Sequence, residues 1–398
     1  MGPPRNHTPK PGANVALYVH TPFCHTTCGY CDFYSVPLTT SGVDELVQGV
    51  REELTSQVGS DGPRVRTIFW GGGTPTVLPT SSFAALLDDL ALIARRDECV
   101  EFSVEANPGT VDEEKAALLA GAGVDRVSVG AQSFNACELS VLERIHDPDD
   151  VVASVRRLRR FGIGQINLDL IFGIPGQTLG TWDESLRRVI ELGPDHVASY
   201  GLTYEPGTRL AAQRTQGLVT PCNEDLEADL YLHAIDTLSA AGYRQYEISN
   251  FAKPGCECLH NLAYWRNQPY LGVGPSAAGC VGGRRYKNVS DIAEYIRLMD
   301  ARGHAEVESE VIDVPKLMIE MIMMQLRLAE GLSIADFHKR AGVDPLTLLG
   351  ARLGPLVDRG LTTVSDTQIA LTRAGRLVAD AVIAELAGTC RGDVPGVD

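Results

Sequence analysis

Six times between Val15 and Ala241 a short apolar run gives way to a turn and then to an amphipathic helical period. The apolar runs are Val15–His20, Arg66–Trp70, Val100–Glu105, Arg126–Gly130, Gln165–Ile171 and His196–Tyr200. The helical periods are Val43–Val58, Ser81–Arg95, Asp112–Ala122, Glu138–Ile145 with Asp149–Arg160, Thr181–Leu192 and Glu224–Ala241. This alternation predicts successive right-handed βαβ units and a parallel sheet, so the chain reads as an α/β protein. Its polar and glycine-rich clusters follow the strands: a cysteine loop, then Gly71–Pro75, Glu105–Pro108, Ala131–Ser133, and Asp169 leading into Gly173–Gly176. In a parallel barrel the C-terminal strand ends form one face, where active sites are built. One composite site is expected there.

The length of 398 residues allows two or three domains. Residues 1–13 read as a flexible arm, 14–241 as the barrel, and 242–310 as flanking strands, loops and a linker helix. Residues 311–388 read as a C-terminal helical domain and 389–398 as a disordered tail. Within the third segment Asp291–Ala301 is helical and Gly303–Glu310 a polar break. Gly272-x-Gly274 lacks the strand and third glycine of a dinucleotide fingerprint. Beyond it, Val314–Arg327 carries Met318, Met321, Met323 and Met324, which at helical spacing read first as core and second as a stripe facing a ligand or partner. Ser333–Ala341, Pro345–Gly360, a hairpin over Leu361–Leu371 and Thr372–Leu386 follow in the order of a winged helix. Asp344, Asp358 and Asp366 dilute Arg340, Arg352 and Arg359, so no basic recognition face emerges.

With 35 basic and 51 acidic residues the net charge is -16, which argues against a nucleic-acid backbone or an anionic membrane as the main partner. No apolar run approaches the roughly 20 residues of a spanning helix, and Met1–Asn14 is not a secretory signal. A cytoplasmic protein with reduced thiols is expected, and peripheral membrane contact stays compatible with the sequence. Oligomeric state is not legible.

Cys24, Cys28 and Cys31 form a C-x3-C-x2-C run directly after the first strand. Soft thiolates select zinc, Cu(I) or iron–sulfur clusters. Three ligands where most sites use four suggest a cubane with one iron left open; three structural cysteines, or zinc with a distant fourth ligand, are the alternatives. Here Tyr18-Val19-His20-Thr21-Pro22-Phe23-Cys24, the cysteine run and Asp32-Phe33 resemble the signature of the radical S-adenosylmethionine (SAM) proteins. More narrowly, they resemble the branch containing oxygen-independent coproporphyrinogen III oxidase and the HemW-type heme chaperones. The resemblance spans roughly Val15 to Leu386 and implies a partial (β/α)6 barrel whose mouth a small C-terminal winged-helix-like domain helps cover. It also implies a [4Fe-4S] cluster on Cys24, Cys28 and Cys31, and SAM chelated to the open iron and cleaved by one-electron reduction.

Carried over residue by residue, the resemblance places Gly72, Gly73 and Thr74 of the Gly71–Pro75 segment against the SAM amino and carboxylate groups. Glu105 falls near the ribose and amino group, Gln132 and Arg144 on ribose and carboxylate, Asp169 on the ribose, and Tyr18 at the border. His260, in His260-Asn261-Leu262-Ala263-Tyr264-Trp265, matches the HNxxYW segment of the chaperone branch and is a candidate heme ligand, with Cys256 and Cys258 alternating beside it. Cys99, Cys137, Cys222, Cys280 and Cys390 have no partner spacing and read as ordinary thiols.

Three features favour the chaperone branch over the oxidase: only 23 residues precede Cys24, Phe33 stands where the oxidase has a fourth cysteine, and HNxxYW is present. The expected function is heme binding and transfer to an acceptor protein. The alternative is oxidative decarboxylation of coproporphyrinogen III to protoporphyrinogen IX, and whether SAM is turned over stays open between the two.

Overall fold

The computed structural model describes residues 12–38, 42–59 and 62–391. Six parallel strands alternate with helices: β1 Asn14–Thr21, α1 Val43–Val58, β2 Arg64–Gly72, α2 Thr80–Asp97, β3 Glu101–Ala106, α3 Glu113–Ala122, β4 Arg126–Gln132, α4 Pro148–Arg160, β5 Gln165–Phe172, α5 Leu179–Leu192, β6 His196–Gly201 and α6 Glu224–Ala240. Each helix starts where local chemistry permits. Asp112 and Asn223 cap α3 and α6, and Asp147 and Thr178 close reciprocal capping boxes on α4 and α5.

The strands bury both faces, as parallel strands do. The outer face packs on the helices through an apolar core that includes Trp70, stacked on Phe83 at 5.0 Å. The inner face is polar. Glu105, Ser128, Asn167 and His196 are successive register partners across β3 to β6, so their side chains share the lumen. Asn167 donates to Ser128 Oγ (2.7 Å) and to Asp169 Oδ1 (2.7 Å), and its own Oδ1 lies 2.6 Å from His196 Nδ1.

The barrel stays open. Strands β7 Arg244–Gln245, β8 Asn250–Ala252, β9 Tyr270–Val273, β10 Ala278–Val281, β11 Arg284–Asn288 and β12 Glu306–Val311 extend the sheet instead of closing it. The order is β12-β11-β10-β9-β1-β2-β3-β4-β5-β6-β8-β7, with β9 parallel to β1 and the remaining additions antiparallel. Helix α7, Leu259–Trp265, plugs the end where the strands begin, packed with Asn14–Ala16, Arg66 and Thr67. Buried Glu101 accepts from the backbone N–H groups of Leu259 (2.9 Å) and His260 (3.0 Å) and thereby ties that helix to β3.

Glu53 ties the extension to α1. Its buried carboxylate accepts from Gly274 N (2.9 Å), Asn288 Nδ2 (2.8 Å) and Tyr295 Oη (2.7 Å), the last on α8, Ile292–Arg302.

The C-terminal domain comprises α9 Val314–Gln325, β13 Leu332–Ser333, α10 Ile334–Ala341, α11 Pro345–Asp358, β14 Thr362–Val364 and β15 Gln368–Leu371, followed by two short helices. Its sheet order, β13-β15-β14, all antiparallel, is the winged-helix arrangement expected. Among the described residues its hydrogen bonds to the rest of the chain reach Asp236, Gln245, Tyr246, Arg266, Asn267, Gly283, Arg285 and Glu310. None of these lies at the cysteine loop, so the domain covers the lower flank of the barrel, not the mouth that the resemblance implied.

Other expectations also shift. Gly303–Glu310 is not merely a polar break, because β12 pairs along β11 as an exposed edge strand whose charged side chains leave no alternating apolar trace. His260–Trp265 is helical, not strand or loop, and a helix at Arg209–Thr215 carries too few residues to show a period. Residues 388–391 form a 3-10 turn with Cys390 buried, which shortens the expected tail. Residues 1–11 of the expected arm and 392–398 of the tail lie outside the described residues. Among the described residues no helix is long and apolar enough to cross a membrane.

Glu53→Ala strands three donors in the interior. Unfolding by denaturant should show a loss of about 3 kcal/mol or more, given about 1–3 kcal/mol per unsatisfied buried group. A loss below 1 kcal/mol would show that the extension is held by its apolar contacts alone.

Candidate functional site

The cysteine loop leaves β1 at Thr21 and is folded back on itself. Phe23–Cys24 pairs in parallel with Val36–Pro37, with Val36 N donating to Pro22 O (2.7 Å) and Leu38 N to Cys24 O (2.8 Å). The turn after β2 grips the same loop: Gly73 N donates to Thr21 O (2.8 Å) and Thr74 N to Phe23 O (2.7 Å). A Cβ on Gly73 would stand 2.5 Å from Phe23 O, and Gly72, at φ +108°, would drive one into the His20 ring at 2.5 Å. The glycines are therefore demanded by neighbouring protein as well as by any ligand.

On its far side the loop is held by Gly29 N donating to Leu142 O (3.3 Å) and Leu210 N to Gly29 O (2.8 Å). Arg209 also donates to Thr27 O (2.5 Å) and pairs with Glu143. Cys24, Cys28 and Cys31 are all half-buried. Cys28 Sγ accepts from Arg144 Nη1 at 3.4 Å, and Cys24 Sγ lies 3.8 Å from Thr74 Oγ1. Burial pushes the Cys24 thiol up and the Cys31 thiol to about 11, so metal binding here would release protons. Among the described residues no group of three His, Cys, Asp or Glu side chains converges on a single metal ion.

Arg144 organises the rim. Its Nη2 donates to Asn107 Oδ1 (2.7 Å) and Gly130 O (2.6 Å), and Asn107 Nδ2 donates to Thr74 Oγ1 (2.6 Å). Its Nε lies 3.3 Å from His146 Nδ1, while His146 Nε2 donates to Ala131 O at 3.1 Å. Gln132, at φ +63° beside a register shift in β4, is buried with its amide against Gly130. Thr74, Arg144, Gln132 and two of the three cysteines are thus one contact network.

Glu105 and Asp169 sit lower, at the neck of the lumen. Glu105 accepts from Gly72 N at 2.9 Å. Burial, helped by the Asp169 charge, lifts it from the ordinary 4.5 to about 8. Burial also lifts Asp169 to about 6 against its Asn167 and Ser128 donors. Two carboxyls raised side by side form a place where a cation would be welcome. Tyr18 donates to His20 Nδ1 (2.9 Å), whose Nε2 donates to Tyr34 O (3.0 Å), and burial holds His20 neutral by lowering it to about 4.

His260 is not part of this constellation. It is buried under the lumen, with Nδ1 at 3.0 Å from Thr67 Oγ1 and Nε2 at 3.1 Å from Tyr264 Oη, so both ring nitrogens are engaged. Cys258 is buried with its thiol 3.4 Å from Glu101 Oε1, and Cys256 is half-buried. Sequence reasoning overlooked Asn107, His146, Asn167 and Arg209. Asn107 stood inside a recognised cluster, but Arg209 reaches the loop across 182 positions of sequence and left no local signal.

Comparison with known proteins follows the same lines. The family model described as the Radical SAM superfamily matches residues 18–189, and that of the HemN C-terminal domain matches 312–378. The heme chaperone HemW of Bacillus subtilis is 35% identical over 94% of this chain and 99% of its own. That of Mycobacterium tuberculosis is 36% identical over 96% of each. Among solved structures, the coproporphyrinogen III oxidase HemN of Escherichia coli superposes with a TM-score of 0.80 over 96% of this chain and 91% of its own, at 24% identity, which bears on the fold alone.

Glu105 gives a test of the electrostatics. A carboxyl raised on folding costs nothing below its unfolded value and progressively more as pH climbs to the folded one. In protein free of cluster and SAM, Glu105→Gln should match the parent near pH 5. By pH 8.5 it should be the more stable by about 2 kcal/mol, allowing for water at the mouth. Parallel stability curves across that window would contradict the assignment.

Proposed function

The chain belongs to the HemW family of radical SAM proteins, and on that premise we propose that it binds heme and passes it to an acceptor protein. The observation that carries this reading is the end-to-end identity with heme chaperones, 35–36% over at least 94% of the chain. It is joined by a departure at Phe33, 73% exposed where the oxidase has a further cysteine. The family implies a [4Fe-4S] cluster and SAM, and the residues present fit both. Cys24, Cys28 and Cys31 would each take one iron. The backbone of Gly72, Gly73 and Thr74 would lie along the amino-acid end of SAM, Arg144 would meet its carboxylate, and Gln132, Asp169 and Tyr18 would frame the ribose.

When bound, the cluster and SAM together supply one-electron cleavage of a carbon–sulfur bond. What the chain itself supplies is placement and charge. Glu105 and Asp169, held partly protonated by burial, would ionise as a cationic ligand enters between them and release protons to water. Arg144 steadies the Cys28 sulfur through one N–H of Nη1 and keeps the other for a carboxylate, while Nη2 is spent on Asn107 and Gly130. Ten cysteines, all free, suit a reducing compartment such as the cytoplasm.

Two measurements on one anaerobic, cluster-loaded sample test the reading. Ferrous or ferric heme should bind at one per chain with micromolar or tighter affinity. Coproporphyrinogen III with SAM and a low-potential reductant should give no vinyl-bearing product by chromatography. Several turnovers per chain, or failure to bind heme, would overturn it.

A further inference from the structure

At the flank of the barrel away from the cysteine loop, the sheet extension and the C-terminal domain enclose a cleft of about 980 Å³, at the upper end of the roughly 300–1,000 Å³ usual for ligand pockets. One wall is a sheet face. Tyr270, Cys280 and Arg285 are direct register partners across β9, β10 and β11, so their side chains point the same way. The other wall is one face of α9, on which Lys316, Ile319, Met323 and Met324 recur at helical spacing. Met318, Met321 and Ile322, on the opposite face, fill the core of the C-terminal domain. The methionine run is therefore divided between core and cleft. Tyr264 closes the inner end, edge-on to Tyr270 at 4.8 Å.

The chemistry of this cleft is specific. Its lining is mainly apolar, it offers thiol, thioether and phenol groups, and cations stand at its rim. Arg285 bridges the walls by pairing with Glu320 (2.7 Å) and also holds Glu310 (2.9 Å), while Lys316 holds Glu310 at 3.2 Å. These cations already bind carboxylates in half-exposed pairs, which contribute little and exchange readily. A flat apolar ring carrying an iron and two carboxylates matches that pattern. Thiolate, thioether, phenolate and imidazole are the side chains that ligate heme iron. His260 has both nitrogens engaged, whereas Cys280 lines the cleft half-buried.

We propose that this cleft is the heme site, with Cys280 as the protein ligand to iron and Arg285 and Lys316 receiving the propionates; the inference rests on the heme-binding reading above. The HNxxYW segment then acts indirectly. His260 holds Tyr264, and Tyr264 shapes the wall against which the ring lies. Met323, 41% exposed, leaves one side open for a cargo that must depart.

Titration of the full-length protein with ferric heme tests the site, read by the Soret and charge-transfer bands that mark a thiolate ligand. Cys280→Ser should abolish those bands and weaken binding at least tenfold. Arg285→Gln should weaken it severalfold with the thiolate bands retained. Cys137→Ser, at an exposed thiol, should behave as the parent. Circular dichroism and thermal unfolding check that each variant is folded. If the parent binds heme while Cys280→Ser and Arg285→Gln keep its spectrum and its affinity within twofold, the cleft is wrong and the heme reading survives. The cleft is equally wrong if His260→Ala alone removes the ligand signature. A parent that binds no heme fails the functional reading itself.

Discussion

The open end of this barrel depends on how closely the turn after β2 approaches the loop after β1. Two backbone hydrogen bonds, from Gly73 and Thr74, clamp the cysteine loop at Thr21 and Phe23, and no side chain larger than hydrogen fits at Gly73. A loop with three thiols would otherwise be free to spread. Held on one side by this turn and on the other by Leu142 and Leu210, it presents its sulfurs at a fixed mouth, where Arg144 and Thr74 meet them. Everything proposed for the cofactors presumes that clamp.

Beneath the mouth the barrel spends its interior on polarity. A girdle of Glu105, Ser128, Asn167 and His196 crosses four strands, and the Glu101 carboxylate below it fastens the plug helix α7. Buried polar groups are tolerable only when bonded to one another, and such networks tend to specify a single arrangement. Part of the cost falls on Glu105 and Asp169, whose carboxyls burial raises, and there a cationic ligand would relieve it. The same network accounts for His260. Its two ring nitrogens lie against Thr67 and Tyr264, which ties the plug helix to β2 and to the tyrosine at the inner end of the cleft.

Apolar runs and helical patterns made the six strand–helix units legible to within two residues at most ends, since local burial sets them, and α1 begins and ends where its pattern does; the helix expected over Glu138–Ile145 instead spans Ala136–Val141, because the chain turns there to bring Arg144 to the mouth. The cysteine loop, Gly71–Pro75, Glu105 and Arg144 were legible because their spacing is contiguous and chemically unusual. What escaped was set by distant partners. β12 is a strand only because β11 lies beside it, with every residue after Glu306 exposed. Glu53 looks like one more surface glutamate of an amphipathic helix until Gly274, Asn288 and Tyr295 arrive from more than two hundred residues away. Cys280, unremarked by spacing, gained meaning only when register set it between Tyr270 and Arg285.

The resulting account is of a molecule with two ends. A three-thiolate, SAM-binding mouth is proposed at the C-terminal ends of the strands, and a heme cleft at the flank that the C-terminal domain covers. Two sites so separated should fill independently. The most direct measurement is equilibrium dialysis of radiolabelled SAM against anaerobic, cluster-loaded protein, with and without saturating heme. The account predicts one SAM per chain, with its affinity unchanged within about twofold by heme. Displacement of SAM by heme in direct competition would place both ligands at the mouth and contradict it.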